Sequence, residues 1–158
     1  MRASERDELM KAYKIFRLVE GKLYSSSVEG KAGIFYSPGK KHMGRVFKIG
    51  GAGKKIRNPI FAFKSPKEAQ DYYQDFYRNS PELFEIWEVK GIPWRKKTIG
   101  TACHLNILGT GYVNELVPVQ KVKNHIWKGT VLLSSCVPVQ KIEIGGKNET
   151  TFSQVQKI

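Results

Sequence analysis

Lys40, Lys41, Arg45, Lys48, Lys54, Lys55 and Arg57 crowd a short glycine-rich stretch. Ammonium and guanidinium groups at that density suit one chemistry above others, the holding of phosphate or similar anionic oxygens. No Asp or Glu occurs between Glu29 and Glu68, whereas Lys31, Lys64 and Lys67 add further positive charge to the same interval. Gly30, Gly33, Gly39, Gly44, Gly50, Gly51 and Gly53 share it, and a backbone without side chains brings its N–H groups close to an anion. Residues 38–58 are therefore read as a basic, Gly-rich loop that contacts phosphates. The same residues also fit a hairpin tip whose lysines are simply solvated. A second cationic knot, "PWRKK", sets Trp94 beside Arg95, Lys96 and Lys97. An aromatic plane flanked by cations holds single strands without reading their sequence, although Trp94 fits a strand-end core position equally well.

Motifs that would name a reaction are missing. "GGAGKK" departs from a P-loop, with Lys48 where the first Gly is needed and Lys55 where Ser or Thr is needed. His42, His104 and His125 have no metal-ligand spacing. Cys103 and Cys136 form no Cys-x-x-Cys pair, and His104 follows Cys103 directly, so along a strand the two side chains point apart. No Ser occupies a Gly-x-Ser-x-Gly elbow. No carboxylate pair is placed for acid–base work. These residues predict no catalytic group, no metal and no cofactor, and favour a binding protein over an enzyme.

The bulk properties agree with a partner of negative charge. Twenty-seven Lys and Arg against fourteen Asp and Glu leave a formal charge of +13 over 158 residues. Such a chain attracts polyanions, nucleic acid first and anionic membrane second. An acidic protein or a small nucleotide would satisfy the same surface. With 41% hydrophobic residues the chain can build one core. No apolar run approaches the ~18 residues of a membrane span, and the first residues lack the apolar segment of a secretory signal. The expectation is a cytoplasmic protein, in which "NET" (Asn148 to Thr150) is not a glycosylation site.

The elements that must carry these groups follow from periodicity and punctuation. Ser4–Lys14 reads as a short helix or lead-in, and Tyr13–Val19 as the first strand. "EGK" turns into "LYSSSV", then "GIFYS" and "RVFKI" add strands. Ile60, Phe61 and Phe63 make another. Ser65 then caps a helix over Pro66–Arg78, with Pro at its first position and Glu68 closing a capping box. Ala69, Tyr72, Tyr73 and Phe76 form its inward stripe. "LFEIWEV" returns as a strand. After Lys97, "TACHLNIL", "GYVNELVPV" and "TVLLSSCVPV" read as strands, the last extended by "QKIEI". Pro118 and Pro138 mark edge positions. The fold class is α+β: one domain over 1–144, a twisted, mostly antiparallel sheet with one principal helix on one face, and a polar tail over 145–158.

"IFAFKSPKEAQDYY" followed by "FEIWEVKG", with an early "LYS" and a late "GTVLLSSCV", resembles uncharacterised small domains of bacteriophages and large DNA viruses. That resemblance spans Tyr13 to Ile142 and implies a viral accessory protein inside a host cell. The order of elements is also similar to ADP-ribosyltransferase folds. By that similarity Tyr24, Tyr36 and Tyr73 would border a nicotinamide pocket for NAD. The position of that fold's catalytic Glu falls near Gly129, where no carboxylate stands, and Glu115 is the nearest substitute. Without that charge a ribosyl cation loses its main stabilisation.

Overall fold

The computed structural model describes residues 9–26, 35–49, 54–80, 83–100, 112–113, 116–122 and 128–143. Gly30, Lys31, Gly33, Gly50, Gly51, Gly53, Cys103, His104, Glu115, His125 and the tail over 145–158 lie outside the described residues.

Strand β1 (Met10–Val19) is the spine. One edge pairs along its length with β8 (Leu83–Gly91), from Met10 opposite Gly91 to Leu18 opposite Leu83. The other edge is shared. β7 (Ile60–Phe63) meets it at Tyr13, and β2 (Lys22–Ser25) takes over from Phe16 to Val19. Glu20 and Gly21 close the β1–β2 hairpin with φ of 55° and 78°. Two positive values in a tight turn match the right-handed twist of the strands they join.

The outer edge of β7 carries β12 (Thr130–Leu133), and the outer edge of β8 carries β13 (Ser135–Ile142). These two strands are one run of chain bent at Ser134, so the two ends of the sheet meet. The chain after β8 completes the join: Pro93 bridges Leu133, and the Trp94 N–H donates to the Leu132 carbonyl at 2.9 Å. The result is a mostly antiparallel near-barrel. Gly91 is required at this corner, since a Cβ there would lie 2.0 Å from the Ser135 carbonyl oxygen.

Alternation along β1 separates two apolar layers. Ala12 and Phe16 face inward with Leu23, Tyr36, Ile60, Ala62, Val89, Leu133 and Cys136. Ile15 faces the opposite side with Phe63, Ala69 and Ile86, beneath α1 (Pro66–Phe76). The helix begins as its residues dictate: Ser65 Oγ accepts the Glu68 N–H at 3.3 Å, and the Ser65 hydroxyl donates to the Glu68 carboxylate. The domain is thus α+β, with one helix packed on the sheet.

Short strands complete the described residues. β3 (Phe35–Tyr36) pairs with β2, and β4 (His42–Met43) with β13. β5 (Val46–Ile49) and β6 (Lys55–Arg57) form a hairpin, joined by β10 (Tyr112–Val113) parallel to β5. β9 (Thr98–Gly100) pairs with β11 (Leu116–Pro118), after which α2 (Val119–Val122) makes a single turn.

Several expectations are corrected. Met10–Lys14 belongs to β1 rather than to a helical lead-in, because the inward set starts at Ala12 and keeps a period of two. Val119 ends its strand in a helical turn. "TVLLSSCVPV" is two strands, bent where the Ser134 N–H donates to the Ile92 carbonyl at 2.7 Å. Phe76 is 56% exposed. Tyr77, at the helix C-cap, takes the inward place instead and stacks on Phe84 with centroids 4.2 Å apart.

Candidate polyanion-binding surface

The β5–β6 hairpin is amphipathic by register. Val46 stands opposite Arg57, Phe47 opposite Ile56, and Lys48 opposite Lys55. Strand alternation therefore puts Phe47, Ile49 and Ile56 on one face, where they form a small apolar cluster. The other face carries Lys48, Lys55 and Arg57, all exposed. Directly opposed side chains in an antiparallel pair have Cβ atoms about 5 Å apart, and like charges there are unfavourable. Among the described residues none of Lys40, Lys41, Lys48, Lys54 or Lys55 meets a carboxylate; the ion pairs of this structure include Lys67–Asp71 at 2.9 Å and Lys141–Glu85 at 3.3 Å, both elsewhere.

The hairpin base is fixed by its own cations and by Asn58. Arg57 Nη1 donates to the Gly44 carbonyl at 2.7 Å, and the Arg45 guanidinium lies 5.2 Å from the Phe47 ring centroid. The Asn58 N–H donates to the Arg45 carbonyl at 2.9 Å. Gly44 leaves room for this crossing, since its Cβ would sit 1.8 Å from the Asn58 carbonyl oxygen. Arg45 and Arg57 thus hold the ribbon in shape, while Lys48, Lys54 and Lys55 are left to solvent.

Lys40 and Lys41 are exposed in the turn between β3 and β4. That turn is pinned: the Ser37 N–H donates to His42 Nε2 at 2.8 Å, and the Gly39 N–H to the Pro138 carbonyl at 2.9 Å. Gly39 adopts φ 79°, a conformation that favours glycine.

The second knot sits beside the corner of the barrel. Arg95, Lys96 and Lys97 are exposed, and the Lys96 ammonium lies 5.4 Å from the Trp94 ring centroid. The Trp94 indole nitrogen is buried without a hydrogen-bond partner. Its N–H edge therefore turns inward, and one ring face already carries a cation. The knot leads into β9, where the Gly100 N–H donates to Asn58 Oδ1 at 2.8 Å. Asn58 thereby ties the segment carrying the second knot to the base of the first.

The three tyrosines do not gather. Tyr36 is buried in the inward layer, Tyr73 projects from the helix onto the layer on the opposite side of β1, and Tyr24 contacts Phe35 with centroids 5.6 Å apart. Burial pushes the Tyr36 phenol well above its ordinary value, with the nearby Cys136 adding to it. Burial likewise pushes the Cys136 thiol up to about 11, against a smaller opposing influence from Lys14. A thiol held protonated in this way is an unreactive core group. Among the described residues no group of His, Cys, Asp and Glu is placed to hold a metal ion, and no helix is long and apolar enough to cross a membrane.

One feature escapes a reading of the sequence. A cleft of about 380 Å³ is lined by Leu18, Lys22, Phe35, Tyr36, Pro38, Glu85 and Trp87, among others. Apart from Tyr36, none of these carries a signal of its own, because only the pairing of β1 with β2 and β8, and of β2 with β3, brings them together.

No family model matches this chain. No curated protein and no solved structure matches it either.

Proposed function

We propose that this protein binds nucleic acid through its phosphates, without catalysis, and that the β5–β6 ribbon is the principal contact. The observation that carries this reading is Lys48 opposite Lys55, with no carboxylate among the described residues to relieve them. Opposed like charges weaken a hairpin; Lys11 and Lys90 are opposed in the barrel too, and the ribbon differs in carrying exposed Lys54 and Arg57 next to its pair. An anion between opposed lysines reverses the sign of the interaction. Exposed lysines on a fixed ribbon also suit the main driving force of such binding, the release of counterions condensed on the polyanion. Lys40, Lys41 and Lys54 widen the surface, and Arg95, Lys96 and Lys97 extend it past Asn58.

Charge reversal tests it. Lys48→Glu/Lys55→Glu removes two contacts, so the salt slope of binding (log K against log salt) should shrink by roughly 2 and affinity at low salt should fall sharply. The fold should survive, since neither side chain is buried. Unchanged affinity and slope would reject the ribbon as the contact.

A further inference from the structure

We infer that the outer face of the barrel is a second contact for the nucleic-acid backbone, through a row of lysines that crosses the sheet from Lys11 to Lys41. This rests on the polyanion reading above and extends it beyond the ribbon, to a partner that lays several phosphates along the protein. The first support is register. Lys11 of β1 stands opposite Lys90 of β8, and Lys90 stands opposite Val137 of β13. Residues directly opposed across a sheet share a face. Alternation sets this face apart from the inward layer, since Ala12 and Val89, the next residues on from Lys11 and before Lys90, are buried there. β4 lies on the far side of β13, with His42 opposite Cys136. Lys41 directly precedes His42, so it comes level with Val137 at the end of the row. Neighbouring strands are ~4.8 Å apart, so three steps from β1 to β4 span about 14 Å.

The second support is charge. Lys11, Lys90 and Lys41 are all exposed, and among the described residues none of them forms an ion pair. Glu88, two residues before Lys90 on the same face of β8, is the acid beside the row; it stands opposite Tyr13 and accepts the Gln140 amide N–H at 3.2 Å. Three lysines against one carboxylate leave the row positive. The third support is continuity. Two residues after His42 the chain reaches Gly44, whose carbonyl accepts Arg57 Nη1 at the base of the ribbon. The row therefore ends where the ribbon begins, with Lys40 and Lys41 as the link. A single phosphate cannot span it, whereas a strand with one charge per ~3.4 Å of helix axis offers a phosphate to each lysine. β1 and β8 pair from Met10 to Leu18, so the backbone under Lys11 and Lys90 is fixed before binding and only side-chain ordering opposes contact.

The full chain is titrated with fluorescent duplex across a salt series, alongside Lys11→Glu/Lys90→Glu, Lys48→Glu/Lys55→Glu and the variant combining all four. Lys22→Glu is the control, since Lys22 is exposed and pairs with Val19 at the other end of β1. The salt slope should shrink by roughly 2 in Lys11→Glu/Lys90→Glu and by roughly 4 in the combined variant, and should stay at the wild-type value in Lys22→Glu. Should the reversal fail to fold, Lys11→Gln/Lys90→Gln, which removes the charges without inverting them, should lower the slope by the same amount. A wild-type slope in the outer-face variants, with a smaller one in the ribbon variant, overturns the row and leaves the ribbon standing. A smaller slope in the outer-face variants, with the wild-type slope in the ribbon variant, keeps the row and overturns the ribbon. A fall of about 1 in Lys22→Glu traces the effect to net charge and overturns the row.

Discussion

The near-barrel buries part of its positive charge, whereas the lysines of the β5–β6 hairpin are all exposed. In the barrel Lys14 is buried, yet its ammonium donates to the Phe61 carbonyl at 2.9 Å and lies 5.7 and 5.8 Å from the Phe16 and Tyr36 rings. Arg17, also buried, donates to the Ser25 carbonyl at 3.3 Å, and Lys141 pairs with Glu85. These cations are bonded within the fold, whereas Lys11 and Lys90 stand exposed and opposite one another on β1 and β8. In the hairpin Lys48 faces Lys55 over a three-residue apolar cluster of Phe47, Ile49 and Ile56, without a carboxylate partner among the described residues. The difference is one of burial: buried charge is bonded within the fold, and the exposed lysines of the hairpin are the ones that the proposed binding would use.

The comparison breaks most visibly in the core. Leu133→Ala removes a fully buried side chain from the inward layer and should cost about 2–5 kcal/mol in urea unfolding. The fraction still folded should keep the wild-type salt slope of binding. A changed slope would mean that barrel and ribbon are not separable.

Alkaline pH acts on the barrel through a buried thiol. The Cys136 thiol rises from an ordinary 9.0 to about 11 on folding. Between those values the unfolded chain loses the proton first, so the contribution is whole below pH 9 and is lost as pH climbs to 11. That is roughly 2–3 kcal/mol, with Tyr36 acting in the same direction at higher pH. Denaturation midpoints at pH 8 and above 10 should show the fall, and Cys136→Ala should reduce it. A flat profile would mean that the thiol is not buried as described.

Two glycines sharpen the contrast. Gly91→Ala drives a Cβ against the Ser135 carbonyl at the barrel corner and should lower global stability by about 1–3 kcal/mol. Gly44→Ala strikes the Asn58 carbonyl at the hairpin base and should cut polyanion affinity at a smaller loss of melting temperature. Equal effects of both on melting and binding would contradict a ribbon that is distinct from the core.

The smallest effect has the most telling sign. Lys55→Glu places opposite charges across the hairpin and should stabilise it by a few tenths of a kcal/mol, read by amide exchange in β5 and β6. The same change should weaken nucleic-acid binding. Gain of stability with loss of binding is expected only if the wild-type lysine is kept for a partner.

Much of the fold was legible because its signals are local. Ser65, Pro66 and Glu68 stand in fixed order, and the cap they form is the one observed. The alternation of Tyr13–Val19 and of Leu83–Val89 marks the two central strands, which pair along almost their whole length. The bend at Ser134 was not legible, because "LLSSCV" keeps a strand composition while its hydrogen bonds pass from β7 to β8. The exposure of Phe76 was hidden for a related reason: helical spacing gives a face, but the sheet decides how far that face is covered. The density of cations over 38–58 could be read from composition, whereas the strand Lys55–Arg57 and the opposition of Lys48 and Lys55 depend on pairing. The cleft could not be read, since its lining from Leu18 to Trp87 depends on the pairing of β1 with β8, which are remote in sequence.

The most direct test of the account is the affinity of the full chain for fluorescent nucleic acid across a salt series, with Lys48→Glu/Lys55→Glu alongside. The account predicts affinity falling steeply with salt, and a slope smaller by roughly 2 in the double variant. Binding that is absent even at low salt, or a slope identical in both proteins, would contradict it.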